Sequence, residues 1–273
     1  MKQMNNFISG LIIKEETLGE KSKLLHVLTA NQGILKMKAP GAKNLKSSTH
    51  SAVQIFTYSE FSIAKGRNGY ITITGATAKN SFFGIRNDVS CYALACYLSS
   101  AVSKVAVNDN TSSEVLRLLL NCFYALSELK MPTETVKPFF ESKLLSICGF
   151  SPEFVHCVSC GEKANTLYFD FFTSGMICKK CELCFGLMTK SRRFFCLTPK
   201  SHHALSKLSR CDMKKMFALN TYLTDEEDRK NFREFSEALI CNLFECELKT
   251  LSFYNHLIRS IENEKLRQKQ KNT

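Results

Sequence analysis

Cys157-Val158-Ser159-Cys160 is followed, after 17 intervening residues (161–177), by Cys178-Lys179-Lys180-Cys181, and these two CxxC pairs determine how the middle of the chain folds. Two CxxC pairs at this spacing are typical of a structural zinc site. Each pair lets one tight turn present two thiolates on the same side of the backbone, and two turns complete a tetrahedral sulfur shell around one Zn2+. Because four thiolates leave no open coordination position, the predicted ion stabilises structure and does not activate water.

The spacing leaves the choice of the last two ligands open. Cys184 forms a further CxxC pair with Cys181, separated from the first pair by 20 residues (161–180). The turn signal Thr173-Ser174-Gly175 directly precedes Cys178 and favours the earlier pair, with Cys184 as the spare. The predicted ligands are therefore Cys157, Cys160, Cys178 and Cys181. The competing interpretation is that these are buried structural thiols of a cysteine-rich protein.

Composition indicates a folded protein with a polyanionic partner. The chain has 273 residues, 44% of them hydrophobic, which excludes a disordered chain as a whole. Thirteen cysteines, an odd number scattered among apolar residues, suit a reducing cytoplasm better than a disulfide scaffold. No signal peptide is recognisable, and the longest apolar stretch, Val89–Ser103, is too short to span a bilayer. The net charge of +12 favours nucleic acid, so we expect a soluble, cytoplasmic, nucleoid-associated protein without a membrane partner.

The first 80 residues show strand periodicity. Turn signals containing glycine separate five runs rich in β-branched and aromatic residues. The runs are Phe7–Ile13, Lys23–Thr29, Gly33–Lys38, Val53–Ile63 and Tyr70–Thr77. Five strands without an intervening helix predict a small closed barrel, of which the OB-fold is the commonest. An SH3-like barrel has similar strand statistics and stays open at this point.

The predicted barrel is basic. Lys36 and Lys38 are two residues apart on one strand and therefore project from the same face. The candidate nucleic-acid contacts are Lys14, Lys21, Lys23, Lys36, Lys38, Lys43, Lys46 and Arg67. Phe56, Tyr58 and Phe61 are candidates for base stacking, although aromatic residues of barrel strands more often fill the core.

The rest of the chain is predicted to be helical, so the fold class is α+β, with the four-cysteine zinc finger inserted into a helical domain. The predicted helices are Val89–Val107, Ser112–Leu129, Glu134–Cys148, Pro199–Leu208, Asp212–Leu223 and Phe232–Ile261. The expected domains are a barrel at 1–80, a first helical part at 81–150, a zinc-binding module at 151–195, a second helical part at 196–262 and a flexible basic tail at 263–273. Residues 179–215 are the most basic window and form either an exposed face or an extension of the nucleic-acid track.

The motifs of common enzyme classes are missing from the sequence. It contains no GxxxxGK[ST] loop, no HExxH and no GxSxG, and the His202-His203 pair is adjacent, so its rings do not share one face of a helix. His156 lies beside Cys157, but a thiolate committed to a metal is not a free nucleophile. We therefore expect a binding protein and not an enzyme.

Several stretches carry a resemblance to a known family. They are Leu18-Gly19-Glu20-Lys21-Ser22-Lys23-Leu24-Leu25 followed by Leu28-Thr29 and Gly33; Ala39-Pro40-Gly41-Ala42-Lys43 with Lys46-Ser47-Ser48; Phe140-Glu141-Ser142-Lys143-Leu144-Leu145-Ser146-Ile147-Cys148-Gly149-Phe150 leading into Cys157-Val158-Ser159-Cys160-Gly161; and Leu248-Lys249-Thr250-Leu251-Ser252-Phe253. In this order, over nearly the whole chain, they resemble RecO-type DNA repair proteins. Pro40 stands where many members of that family have a lysine, which removes one basic contact between Lys38 and Lys43.

The resemblance implies a recombination mediator that binds single- and double-stranded DNA and anneals complementary strands. It also implies action with RecR on strands coated by single-strand-binding protein (SSB), so that RecA can load. In that family a hydrophobic pocket of the helical part accepts the acidic, apolar C-terminal tail of SSB. The alternatives are an RNA- or transcription-associated binding protein with a zinc ribbon and an OB-like domain, and an interaction scaffold whose charge is incidental.

Overall fold

The computed structural model describes residues 7–66, 70–105, 109–163, 168–188, 193–244 and 248–271. The chain divides into two compact units. Unit 1 consists of Met1–Met131 with Leu248–Thr273, and unit 2 consists of Pro132–Glu247.

Unit 1 contains a closed five-stranded barrel. Its strands are β1 (Phe7–Leu18), β2 (Ser22–Thr29), β3 (Ile34–Ala39), β4 (Tyr58–Lys65) and β5 (Ile71–Asn80). The strand order is β1-β2-β3-β5-β4, and β1 also pairs with β4 to close the barrel. The β3–β5 pair is parallel and the other pairs are antiparallel. This is the Greek-key arrangement of an OB-fold, so the predicted fold class is confirmed and the SH3-like alternative is not.

Alternation of side chains along the strands fills the barrel. Ile12, Leu25, Val27 and Met37 are fully buried and contact one another in the barrel core. β1 pairs with both β2 and β4, and the bulge between Ile12 and Lys14 lets it bend around the barrel. After the bulge, the side chains of β1 that alternate with the core positions face outward.

The fourth strand begins later than the sequence predicted. A 3-10 turn at Ser51–Val53 leads into Phe56, whose backbone is left-handed, with a φ of 65°, and β4 starts only at Tyr58. This turn directs the Phe56 ring towards the helices of unit 1, where it lies 5.4 Å from Tyr92 and 5.3 Å from Phe123 between ring centroids. The first part of the hydrophobic run that starts at Val53 therefore connects the barrel to the helices of unit 1, and only the part from Tyr58 onward forms a strand.

Eight α-helices lie in the described residues. They are α1 (Phe83–Arg86), α2 (Val89–Lys104), α3 (Asp109–Ser127), α4 (Thr133–Ile147), α5 (Lys179–Met188), α6 (Pro199–Leu208), α7 (Glu226–Phe244) and α8 (Lys249–Lys271). The segment predicted as a helix at Asp212–Leu223 is a 3-10 helix, Met213–Tyr222. Among the described residues, none of the helices is both long enough and apolar enough to cross a membrane.

The helix predicted at Phe232–Ile261 is two helices. α7 ends at Phe244 in unit 2, and α8 begins at Lys249 and packs against α2 in unit 1, where it buries Leu251 and Tyr254. The sequence between them contains neither glycine nor proline, and the apolar period continues across the break. No local sequence signal therefore indicates where one helix ends and the next begins. α8 also continues to Lys271 through the tail that was expected to fray, because its Glu, Lys, Arg and Gln residues favour helix.

The core of unit 2 packs a small sheet against α7. The sheet has the order β7-β6-β8, formed by β6 (Tyr168–Asp170), β7 (Gly175–Ile177) and β8 (Phe194–Cys196). Phe235 of α7 is fully buried, and its ring lies 4.9 Å from that of Phe169 and 5.3 Å from that of Phe195, between centroids. The sheet that carries the cysteines is therefore anchored by aromatic contacts as well as by any metal.

Two buried lysines tie the helices of unit 2 together. Lys137 Nζ lies 2.9 Å from a carboxylate oxygen of Glu141 and 2.6 Å from one of Glu237, and Glu141 is fully buried. Ser236 Oγ donates to Glu141 at 2.8 Å, which joins α4 to α7. Lys143 Nζ donates to three backbone carbonyls at and beyond the end of α6, those of Leu208, Ser209 and Cys211. Lys143 thus satisfies the last carbonyl of that helix and two carbonyls of the segment that follows it.

Candidate metal centre and nucleic-acid face

Four cysteines of unit 2 converge on one point. The sulfur atoms of Cys157, Cys160, Cys178 and Cys181 all lie within 4.8 Å of one another, and Cys160 Sγ is 3.8 Å from Cys178 Sγ. A tetrahedral shell with metal–sulfur bonds of about 2.3 Å places its sulfur atoms about 3.8 Å apart. The arrangement can therefore hold a metal ion.

The first CxxC pair forms a tight turn closed by backbone hydrogen bonds. Gly161 N–H donates to Cys157 O at 2.8 Å, and Cys157 N–H donates to Glu162 O at 2.7 Å. Gly161 takes a φ of 76°, which a residue without a Cβ adopts at little cost. This geometry turns both thiols of the pair to the same side of the chain.

The second pair lies where a strand becomes a helix. Cys178 follows β7 directly, and Cys181 lies in the first turn of α5. Cys178 N–H donates to Cys157 Sγ at 3.3 Å, which links the two pairs. The positive end of the helix dipole adds a second electrostatic contribution that favours thiolate.

The surroundings of Cys157 and Cys181 shift the pKa values of the two thiols in opposite directions. Burial raises the pKa of Cys157, but N–H donors of Cys178, Cys160 and Ser159 outweigh it and lower this pKa to about 6. For Cys181, hydrogen bonding from Ser159 lowers the pKa, whereas the neighbouring thiol of Cys178 and burial raise it, with a net value of about 12. Four thiolates this close repel one another, and a bound cation removes that repulsion.

Cys184 and His156 lie outside the group. Cys184 is exposed on α5 and does not belong to the four converging thiols, so the fold assembles the set that the Thr-Ser-Gly turn favoured. His156 lies 3.9 Å from Glu153 through its Nδ1 and is well exposed. Among the described residues, the donor set of the cluster is therefore sulfur alone, which suits soft or borderline ions such as Zn2+.

The outer face of the barrel presents the two lysines that were predicted to share a face. Lys36 and Lys38 are exposed on β3 and alternate with the buried Met37 and Ala39. Neither lysine has an ion-pair partner among the described residues. The face formed by the second and third strands is the one with which OB-folds bind oligonucleotides.

Two other predicted lysines have carboxylate partners. Lys23 Nζ lies 2.9 Å from Glu15, and only 15% of its side chain is exposed. It is opposite Ala39 in the sheet and so occupies the row that alternates with Lys38. Lys14 is exposed and lies 2.7 Å from Glu16. Lys23 therefore lies on the other side of the sheet, whereas Lys14 shares the outer face.

The remaining predicted contacts are in loops. Lys43 Nζ donates to Gly19 O at 3.0 Å and connects the loop after β3 with the β1–β2 turn. Lys21 and Lys46 are exposed in these two loops. Arg67 lies outside the described residues.

The aromatic candidates for base stacking are largely excluded. Phe56 and Phe61 are fully buried, the former among the helices of unit 1 and the latter in the barrel core. Tyr58 is half-buried. The core interpretation of these aromatics is confirmed for both phenylalanines.

Sequence reasoning missed a polar cluster on the outer face. Lys14 is opposite His26 in the pairing of β1 with β2, and Glu16, two residues further along β1, reaches diagonally to the ring, with His26 Nε2 3.1 Å from the Glu16 carboxylate. The alternation of β2 indicated that His26 points outward, but its pairing with β1 depends on a register that includes the bulge.

Comparison with known proteins agrees with this architecture. Residues 4–82, which include the barrel, match the family model described as Recombination protein O N terminal. Residues 86–250, which include the cysteine cluster, match the model described as Recombination protein O C terminal.

Individual relatives share the same description. The chain is 33% identical over 174 residues to DNA repair protein RecO of Acetivibrio thermocellus, covering 63% of this chain and 69% of the relative. It is 31% identical over 218 residues to DNA repair protein RecO of Alkaliphilus metalliredigens, covering 78% and 85% of the two chains. A third, from Caldicellulosiruptor bescii, is 34% identical over 174 residues, covering 63% and 70%. On both family models and on these relatives, the chain belongs to the RecO family of DNA repair proteins.

Proposed function

We propose that this chain is a recombination mediator that binds single- and double-stranded DNA and anneals complementary strands. In this proposal it acts with RecR on strands coated by SSB and so helps RecA to load. Its family membership supports this role. The role requires a surface that grips sugar–phosphate chains without reading bases.

The observation that carries the proposal is the outward pair of lysines on β3. Lys36 and Lys38 are exposed side by side on an OB-fold, with Lys43 and Lys46 in the loop that follows. Cations in such a row follow a phosphate backbone, whereas the aromatic residues that would read or stack bases are mostly buried. Such a surface is suited to annealing strands of any sequence.

A fluorescence annealing assay with complementary, SSB-coated oligonucleotides tests this function. We expect Lys36→Ala/Lys38→Ala/Lys43→Ala to anneal more slowly than the wild type. The matched control is Lys230→Ala/Lys249→Ala/Lys265→Ala, which removes the same charge from exposed helix positions outside the barrel. Equal rates for the two variants would contradict a barrel-based mechanism, even if both were slower than the wild type.

Direct binding measurements with oligonucleotides and with protein partners, made alongside the annealing assay, separate the alternatives. Preference for RNA over DNA of the same sequence, without strand annealing, would favour an RNA- or transcription-associated zinc-ribbon protein. Partner binding without retention of any oligonucleotide would favour an interaction scaffold.

We further propose that Cys157, Cys160, Cys178 and Cys181 hold one structural Zn2+. The convergence of the four sulfur atoms and the hydrogen bond to Cys157 Sγ support this proposal. When bound, the ion supplies four metal–sulfur bonds that cross-link the two turns. The cysteines hold the two turns, and Phe235 anchors the sheet between them.

We also propose a groove of unit 2 as the binding site of the SSB tail. Its volume is about 700 Å3, and Phe154, Val155 and Leu219 line it together with Lys207 and Arg210. Apolar walls beside two cations suit a peptide that is both acidic and apolar. We expect Arg210→Ala to weaken binding of a labelled SSB tail peptide and to leave oligothymidylate binding unchanged. Unaltered peptide affinity would exclude this groove.

A further inference from the structure

Two basic side chains of the barrel converge on one carboxylate oxygen. Lys14 Nζ lies 2.7 Å from Glu16 Oε1, and His26 Nε2 lies 3.1 Å from the same oxygen. Lys14, His26 and Lys36 are in register across β1, β2 and β3, so they form one row on the outer face of the sheet. The Glu16 carboxylate thus lies against two members of this row of basic side chains.

We propose that Glu16 Oε1 occupies the position of a phosphate oxygen, and that a DNA phosphodiester replaces the Glu16 carboxylate between Lys14 and His26. Lys36, next in the row, then contacts the same phosphate or its neighbour. The inference rests on the proposed function, since it assumes that this face of the barrel binds DNA. Beyond that function, the inference assigns Glu16 as a competitor of DNA and His26 as a contact to the DNA phosphate.

The geometry allows this exchange. The Glu16 side chain is 43% exposed and that of Lys14 is 59% exposed, so both can move without breaking the barrel. Ion pairs of this kind are weak in water, and a polyanion competes with them effectively because its binding releases counterions. His26 is only 14% exposed and therefore keeps its position when the carboxylate leaves. If Glu16 stayed in place, it would repel the incoming phosphate.

Charges on three strands decide when His26 carries a proton. Burial lowers the pKa of His26, Glu16 raises it, and Lys14 and Lys36 lower it. Lys38 follows on the same face of β3. α3 also contacts β2 and carries the exposed Glu114 and Arg117, but neither is among the charges that shift the pKa of His26. When a DNA phosphate takes the position of the carboxylate, the adjacent phosphates of the DNA strand add further negative charge. This charge favours the protonated ring. DNA affinity should therefore rise as the pH falls towards the pKa of His26, which in the free protein lies below the ordinary value of 6.5.

Glu16→Gln tests the competition. We expect it to tighten binding of labelled oligothymidylate about two- to fivefold near neutral pH, which is the range of an exposed ion pair. Glu60→Gln is the matched control, because Glu60 of β4 is also 43% exposed and lies 3.4 Å from Lys79 of β5. It removes the same charge away from the row of cations. Equal effects of the two substitutions would overturn the proposal.

His26→Gln tests the role of the ring. The wild type should bind oligothymidylate more tightly at about pH 6 than at about pH 7.5, whereas the variant should bind it equally at the two pH values. His256→Gln, at an exposed position of α8, is the control. An NMR titration of the His26 ring provides a second readout, with a higher pKa expected in the complex with oligothymidylate. An unchanged pKa in the saturated complex would overturn the proposal.

The outcomes distinguish this inference from the function on which it rests. Absence of any oligothymidylate binding by the wild type would overturn both. Weakened binding by Lys36→Ala/Lys38→Ala, together with equal effects of Glu16→Gln and Glu60→Gln, would leave the DNA-binding barrel in place and remove only the exchange at Glu16.

Discussion

Val158, inside the first CxxC pair, packs directly against Gly175, the first residue of β7, and its Cγ1 fills the space that a Cβ on Gly175 would need. Val158 N–H donates to the backbone carbonyl of Met176 at 3.0 Å, which joins the first turn to the same strand. Because Cys178 follows that strand, this contact sets the spacing of the two cysteine pairs.

Gly175→Ala should therefore weaken metal binding. The added methyl group pushes Val158 away, and the turn carrying Cys157 and Cys160 moves with it. We expect a loss of about 1–3 kcal/mol in the free energy of unfolding and a lower zinc affinity in competition with a chromogenic chelator. Val158→Ala in the same chain removes the overlapping Cγ1 and should restore the affinity. Failure of this second substitution to restore it would show that the contact does not set the spacing.

The cluster should contain about one tightly bound zinc per chain, as a closed four-thiolate site does. Cys181→Ser should lose most of this zinc, because three sulfur ligands remain. Cys184→Ser should retain it, because that thiol is exposed and outside the group. Elemental analysis of the purified variants measures the zinc content. Loss of zinc from the Cys184 variant would show that the register is wrong.

The lysines on opposite sides of the barrel sheet should differ in their effect on DNA binding. Lys36→Ala/Lys38→Ala removes two outward cations, and each lost phosphate contact should reduce the log–log salt slope by about 0.7 for single strands. Lys23→Ala should leave the slope unchanged, because Lys23 is largely buried and lies 2.9 Å from Glu15. Fluorescence anisotropy with oligothymidylate between about 50 and 200 mM salt measures the slopes. Identical slopes for both variants would contradict binding by the outer face.

The buried ion pair between α4 and α7 should make unfolding sensitive to alkaline pH. Burial lowers the pKa of Lys137, but Glu141 and Glu237 outweigh it, so the pKa in the folded protein is raised above the ordinary value of 10.5. Because the folded state holds this proton more tightly, the stabilisation is fully present below pH 10.5 and is lost as the pH rises through the raised pKa. Urea unfolding as a function of pH measures this loss.

Lys137→Met is the corresponding variant. It leaves Glu141 buried without its cation, and we expect a loss of about 3–5 kcal/mol in the free energy of unfolding near neutral pH. A Lys137→Met/Glu141→Leu pair should recover much of that loss, since no isolated charge is then buried. If the single variant were as stable as the wild type, the ion pair would not contribute to the fold.

Local patterns in the sequence were enough to predict the barrel and the cysteine cluster. Alternating residues such as Lys36, Met37 and Lys38 predict a strand with one buried face, and the structure has that strand. The spacing of Cys157, Cys160, Cys178 and Cys181 predicts two turns that meet, and their sulfur atoms do meet. Both features depend on residues that are close in the chain, so sequence alone contains the information.

The break between α7 and α8 could not be predicted in this way. The apolar period of the two helices continues through Phe244 and Leu248, and no helix-breaking residue separates them. What separates the helices is the packing of each against a different partner, Phe235 against the sheet of unit 2 and Tyr254 in unit 1 beside α2.

The sequence therefore determined the barrel strands, most of the helices and the two thiol turns, because those choices depend on neighbouring residues. The tertiary structure alone decided which lysines are paired and which are not, where Phe56 packs, and that Lys14 and His26 converge on one oxygen of Glu16. These outcomes depend on strand register and on contacts between residues far apart in the chain, where a shift of one residue moves a side chain to the opposite face.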